Sequence, residues 1–190
     1  MVRRTQAERS GATSATLVEV ARLLFARDGY AGTSIDAVAA AAGMTKGAAY
    51  HHFDGKAALF RAVFEQEQSQ VAAVLEEAAG RAPNPMDALA AGARAFLERC
   101  LDPGFRQIVL LDGPSVLGWQ GVRALQADHT LRVLRDGLTA ATGDDSEVLA
   151  HLIFGALCEA GLFLASTDHP ADALPAVLTE AEHLLRTLGG

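Results

Sequence analysis

Lys46, Gly47, Tyr50 and His51 fall within six consecutive residues, and Lys56 follows close behind. Lys46 and Lys56 are the only lysines in the chain. An ammonium group reaches a phosphate or a base edge, and tyrosine and histidine donate to phosphate oxygens. Tyrosine also packs on a thymine methyl. Gly47 removes a side chain where a backbone could come close to a ligand. Thr33 and Thr45 add hydroxyls near helix starts, where free N–H groups favour phosphate. The chemistry these types suggest is the binding of a polyanion.

Two short helices must position them. Thr33 and Asp36 have the spacing of a capping box. Ile35, Val38, Ala39 and Ala42 form one apolar stripe at helical steps. Gly43 suits the left-handed residue that ends a helix, and Thr45 can cap the next one. Two helices across a glycine turn make a helix-turn-helix, whose second helix fits a DNA major groove. An amphipathic helix from Thr13 or Ser14 to about Asp28, with Leu17, Ala21, Leu24 and Phe25 on one face, covers the stripe. Gly29 closes it, and residues 1–12 read as a polar tail. Arg3 and Arg4 are first a solvated tail and second an arm for an adjacent groove. Asp54 is the expected cap of a fourth helix reaching about Ala79.

Charge is divided unevenly. Residues 1–61 hold eight Lys/Arg against five Asp/Glu, a net of +3, and residues 62–190 hold eight against eighteen, a net of −10. The total of −7 argues against nucleic acid, but phosphate binding needs only a local basic face. The acidic remainder orients that face toward DNA. Ala and Leu dominate a composition that is half hydrophobic, which favours helices throughout. No leader is expected, and Cys100 and Cys158 lack metal-ligand spacing, so a reducing cytoplasmic setting is the expectation.

Beyond Gly80–Pro85 the pattern gives a helix over about Met86–Leu101 and a broken region over Asp102–Trp119, with a short helix near Phe105–Leu111. A helix over about Gln120–Ala141 follows, then two last ones over about Ser146–Ser166 and Ala171–Leu188. The apolar run Val148–Ala165 is short of the roughly 20 residues of a membrane span and carries His151 and Glu159, so no membrane is expected. Covering by a second subunit is the natural solution, with Gly155, Ala156, Ala160 and Gly161 permitting close approach. Phe96, Phe105, Trp119, Phe154 and Phe163 could line an apolar cavity, with His129, His151 and Glu159 as polar handles. For each aromatic, plain core is the commoner role. Glu159 in an apolar helix calls for a cross-subunit Arg or His, or for a cationic ligand.

The joint Leu24–Ser34 (LFARDGYAGTS), then Ala42-Gly43-Met44-Thr45, then Lys46–Phe53 (KGAAYHHF), with Lys56 and Leu59, together resemble the TetR family of bacterial transcriptional regulators. One departure is Ala49, where that family usually has a bulkier aliphatic. The resemblance covers about Thr13–Phe64. It implies an all-α fold: an N-terminal three-helix helix-turn-helix domain (1–55) and a C-terminal helical ligand-binding and dimerisation domain (56–190). It also implies DNA contacts from Thr33, Thr45, Lys46, Gly47, Tyr50, His51 and Lys56. The partners are double-stranded DNA with a palindromic operator, a second copy through the last two helices, and an unknown small-molecule effector. Effector binding moves the fourth helix, and relief of repression is the usual outcome. No cofactor and no metal are called for.

The alternatives are an enzyme or a helical small-molecule-binding protein without a DNA role. Gly113–Gly118 (GPSVLG) lacks the G-x-S-x-G spacing of a nucleophile elbow. A simple carrier leaves Lys46, Tyr50 and Lys56 unexplained.

Overall fold

A computed structural model describes residues 6–187. The elements are α1 (Gln6–Gly32), α2 (Ile35–Ala41), α3 (Lys46–His52), α4 (Lys56–Gly80), α5 (Pro85–Arg99), α6 (Pro103–Phe105), a π-helical segment (Arg106–Asp112), α7 (Gly113–Asp128), α8 (Thr130–Thr142), α9 (Glu147–Ser166) and α10 (Pro170–Arg186). No strand occurs among the described residues. One apolar core runs from Leu17 in α1 to Leu185 in α10. α4 is its spine: it packs on α1 at one end and along α5, α7 and α8 further on.

The helix-turn-helix forms as its residues dictate. Ser34 caps α2, its hydroxyl accepting from Ala37 N–H at 3.1 Å. Ile35, Val38 and Ala39 are buried. Gly43 has φ 68°, and the N–H groups of Gly43 and Met44 donate to Ala40 and Ala39 carbonyls at 3.1 and 2.9 Å. Those two bonds are a Schellman closure, which needs a left-handed residue at the glycine position. A Cβ there would meet no atom within 4 Å, so the penalty of Gly43→Ala is purely conformational. We expect it to destabilise the protein by about 1 kcal/mol, with Gly43→Asn less harmful; urea unfolding of the pair measures it.

Several elements differ from the sequence expectation. α1 begins at Gln6, so residues 6–12 are helical; Arg3 and Arg4 lie outside the described residues. Gly29 does end regular α1, at φ 69° and ψ 173°. α4 starts after Gly55, which has φ 89° and no side-chain cap, and Asp54 does not cap it. The region expected to be broken is helical, because Pro103 and Pro114 stand at helix starts, where a missing N–H is harmless. Only Gly118, at φ 69°, interrupts it. The helix expected over 120–141 is broken at His129. That break puts Thr130 inside, where its hydroxyl donates to the buried Gln68 of α4 at 2.6 Å.

α9 is 20 residues long, enough to cross a membrane by length and composition. Its packing assigns it to the bundle instead. It lies against α5, α8, α10 and the π-helical segment, and buries Ala150, Ile153, Phe154, Leu157, Gly161 and Leu164. Gly161 meets its neighbour inside the same subunit: a Cβ there would stand 2.8 Å from Cys100 Sγ. It is therefore not free for approach by a second copy.

Candidate DNA interface and effector cavities

α3 carries its polar residues outward. Thr45 caps the helix, its hydroxyl accepting from Ala48 N–H at 3.2 Å. Ala49 is the buried residue of α3 and belongs to the apolar core. Lys46, Gly47, Tyr50 and His51 are all exposed. Lys46 Nζ donates to Asp36 Oδ2 at 2.7 Å and lies 5.5 Å from the Tyr50 ring centroid. Both partners of that pair are open to water, so it orients the lysine without tying it down. A side chain at Gly47 would meet no protein atom within 4 Å.

Two expected members stand elsewhere. Thr33 is 4 % exposed, and its hydroxyl donates to the Gly29 carbonyl at 2.9 Å. It neither caps α2 nor faces outward: its hydroxyl turns back to the end of regular α1. The exposed cap is Ser34, one residue on. Lys56 is half-buried: its Nζ donates to the Tyr30 carbonyl at 2.8 Å and sits 4.1 Å from that ring's centroid. Tyr30, Phe25 and Phe60 form an aromatic group with centroids 5.1 to 5.9 Å apart. Lys56 thus ties the end of α1 to the start of α4.

The same joint is gripped from the other side. Asp112, at the end of the π-helical segment, accepts the Tyr30 backbone N–H at 2.7 Å. Deeper in, the α4 carboxylate of Glu67 is 1 % exposed and bridges Arg22 of α1 and Arg99 of α5. Asp102 joins them through Arg99 at 2.7 Å and accepts Gly104 N–H at 2.8 Å. Burial works against its charge, but the Gly104 N–H, Arg99, the Phe105 N–H and Arg22 outweigh burial and hold its carboxyl below the usual range. A group depressed on folding adds stability above its unfolded pKa and loses it as pH falls through the folded value. Asp102→Asn should therefore be least stable relative to the parent near neutrality. The gap should narrow as pH drops toward about 3, in urea melts across that range.

The expected effector residues divide between places. Phe96 and Phe154, 6.2 Å apart, border a cavity of about 60 Å³ between α4, α5, α8 and α9. Phe105 is fully buried against Phe96 and Arg99. Trp119 and Glu159 border a second cavity of about 210 Å³ between the π-helical segment, α7 and α9. Phe163 lies instead in a groove of about 510 Å³ between α9 and α10, which Glu159 also borders. His129 sits at the α7–α8 break, and His151 stands 3.8 Å from Glu147 on the outer side of α9; neither borders these cavities. Glu159 is exposed, not buried. Its apolar neighbours along the sequence gave no sign that one face of α9 opens to water.

Against known proteins, residues 7–63 match the family described as "Bacterial regulatory proteins, tetR family", and residues 86–188 match "Tetracyclin repressor-like, C-terminal domain". The chain belongs to the TetR family. A TetR-family transcriptional regulator from Pectobacterium atrosepticum is 33 % identical with a TM-score of 0.79, over 97 % of each chain. The Tn10 TetC protein of Escherichia coli is 27 % identical over 79 % of both chains. CymR of Pseudomonas putida, a helix-turn-helix regulator, is 44 % identical over 36 % of this chain and 34 % of its own. As a TetR-family member the chain is a ligand-responsive, DNA-binding transcriptional regulator.

Ser115, the serine of GPSVLG, donates its hydroxyl to the Asp112 carbonyl at 2.8 Å within a helix turn. Burial pushes the Cys100 thiol up to about 12 and the Cys158 thiol up to about 11. Neither is a thiolate near neutral pH. Among the described residues no three His, Cys, Asp or Glu side chains converge on a metal position. Sequence reasoning missed Ser34, Asp112 and Arg123, the last of which faces the second cavity. Ser34 had a signal in the Thr-Ser pair; Asp112 and Arg123 had none, because their partners are distant in the chain.

Proposed function

We infer that the chain is a repressor that binds a palindromic operator as a homodimer and is released by a small-molecule effector. The observation that carries this is α3: a short, capped helix whose Lys46, Tyr50 and His51 stand exposed together beside an unfilled position at Gly47. α3 enters the major groove. Lys46, Tyr50 and His51 contact bases and phosphates, and the Thr45 N-terminus faces a phosphate. Lys56 contributes by fixing α1 to α4 and, secondarily, through its charge. The regulatory division falls near residue 55, with the binding unit in 1–55 and the effector and dimer unit in 56–190. The protein works in the cytoplasm, where its operator is.

The dimer forms through α9 and α10. Their groove is apolar, and Leu152, Phe163 and Leu184 are large side chains open to water on or beside it. An unpaired face of that kind is where a second copy buries area. Two recognition helices then stand about 34–36 Å apart, one turn of DNA. An effector in the C-terminal domain moves α4 and changes that separation, acting only through its different affinity for the two states.

The test is a gel shift on DNA upstream of the chain's own gene at several salt concentrations, beside sedimentation of the free protein. A specific shift with a steep salt slope is expected, and a dimer in solution. Phe163→Glu with Leu184→Glu should give a folded monomer and lose the specific shift. A specific shift by that monomer, or none by the parent on any such DNA, would defeat the reading.

A further inference from the structure

Seven arginines among the described residues lie against a carboxylate. Arg123 of α7, half-buried, has no such pair. Its guanidinium carbon is 4.2 Å from the Trp119 ring centroid and 5.5 Å from that of Phe154. One nitrogen, Nη1, donates to Gln126 Oε1 at 3.2 Å. A guanidinium has five N–H donors in a rigid fork, and this one is held by aromatic rings beside a cavity of about 210 Å³. The other walls are mostly apolar: Val109, Leu110, Val122 and Leu162. Cys158, also in the wall, carries no charge near neutral pH.

We propose that this cavity binds an amphipathic monocarboxylate, its carboxylate on the Arg123 fork and its apolar body between the π-helical segment, α7 and α9. This rests on the reading of the chain as an effector-controlled regulator and names the effector class. Carboxylate matches a guanidinium fork with two parallel bonds, and the Trp119 ring at 4.2 Å and the Gln126 bond restrict where that fork lies beforehand. A cavity of about 150 Å³ holds benzene, so this one has room for a ring with a short chain. Glu159 also borders this cavity. Any cation drawn to Glu159 inside this cavity would share it with the Arg123 guanidinium, which disfavours a cationic ligand there.

The location gives the ligand a route to DNA. The wall contains Val109 and Leu110 of the π-helical segment, whose last residue, Asp112, holds the Tyr30 N–H. Tyr30 in turn holds Lys56 at the head of α4.

Trp119 is the only tryptophan of the chain and lies in the wall, so its emission reports occupancy. The experiment titrates the full chain with 4-phenylbutyrate, 4-phenylbutanol, 4-phenylbutylamine and inorganic phosphate at constant ionic strength. The ligand-induced rise in Tm serves as a second readout. The carboxylate should bind saturably and at least roughly tenfold tighter than the alcohol, with amine and phosphate weaker still. Arg123→Gln should erase the preference over the alcohol, Arg123→Lys should retain part of it, and Glu159→Gln should strengthen carboxylate binding about twofold. Should Arg123→Gln not fold, the parent's preference and its reduction in Arg123→Lys decide. Equal binding of alcohol and carboxylate, tighter binding of the amine or phosphate, indifference to Arg123, or no response to the carboxylate overturns the proposal. A flat titration with operator binding intact removes the effector class alone. A saturable titration with no operator binding removes the regulator reading alone.

Discussion

Glu67→Ala is expected to remove about 3 kcal/mol of stability, the lower part of the range for breaking one side of a buried ion pair. Glu67 is 1 % exposed and has a guanidinium on each carboxylate oxygen, Arg22 on Oε1 and Arg99 on Oε2. Its removal leaves two part-buried cations facing a void. Asp102 pairs with both arginines but is itself part-exposed, so it compensates only in part. The lower end of the range applies because both arginines retain some contact with water. Glu67→Gln keeps the volume and should lose less, though its neutral amide cannot satisfy both forks. Urea unfolding of the three proteins measures this; a loss under about 1 kcal/mol for the alanine variant would show the bridge to be dispensable.

Lys46→Ala with Tyr50→Ala should weaken operator binding about a hundredfold or more, from two contacts each worth about 1–3 kcal/mol. The salt slope should fall by about one unit for the lost lysine. Stability should change little, because both residues are exposed and the Lys46–Asp36 pair is a surface pair. That separation distinguishes a contact surface from a structural one. Gly47→Ala sharpens it. A methyl at that position meets no protein atom and improves helix propensity, so the fold is unharmed or firmer. DNA binding should nevertheless drop, because in the proposed docking the same methyl stands where a phosphate or base comes close. Unchanged affinity in both variants, beside a specific shift by the parent, would move the interface off α3.

Much of the recognition unit was legible in the sequence because local rules determine it. Gly43 closes α2 as the glycine turn implied, Thr45 caps α3, and the exposed residues of α3 are those whose types suggested contact. The errors there are one residue wide. Thr33 and Ser34 are equally good caps by type, and only the reversal after Gly29, which buries Thr33, decides between them. The tie of Lys56 to Tyr30 joins two helices and so leaves no mark in local spacing. The C-terminal half was legible as helices but not as a site. His129 interrupts an apolar period that runs on unbroken in sequence, and prolines read as breaks proved to be helix starts. Trp119 and Phe96 are both aromatic, yet they border different cavities, because which face of a helix looks inward depends on partners far along the chain.

The aromatic group at the α1–α4 joint bears on how the molecule can be divided. Phe25 and Tyr30 rest on Phe60, and Leu59 and Val63 are fully buried in the same core. A fragment ending at residue 55 would leave Phe25 and Tyr30 without that support, and Lys56 would be absent as well. The reading head therefore has no self-sufficient core. It is completed by the first turns of the helix that also carries Glu67 and Gln68. Whatever tilts that helix necessarily reshapes the floor on which the reading head stands.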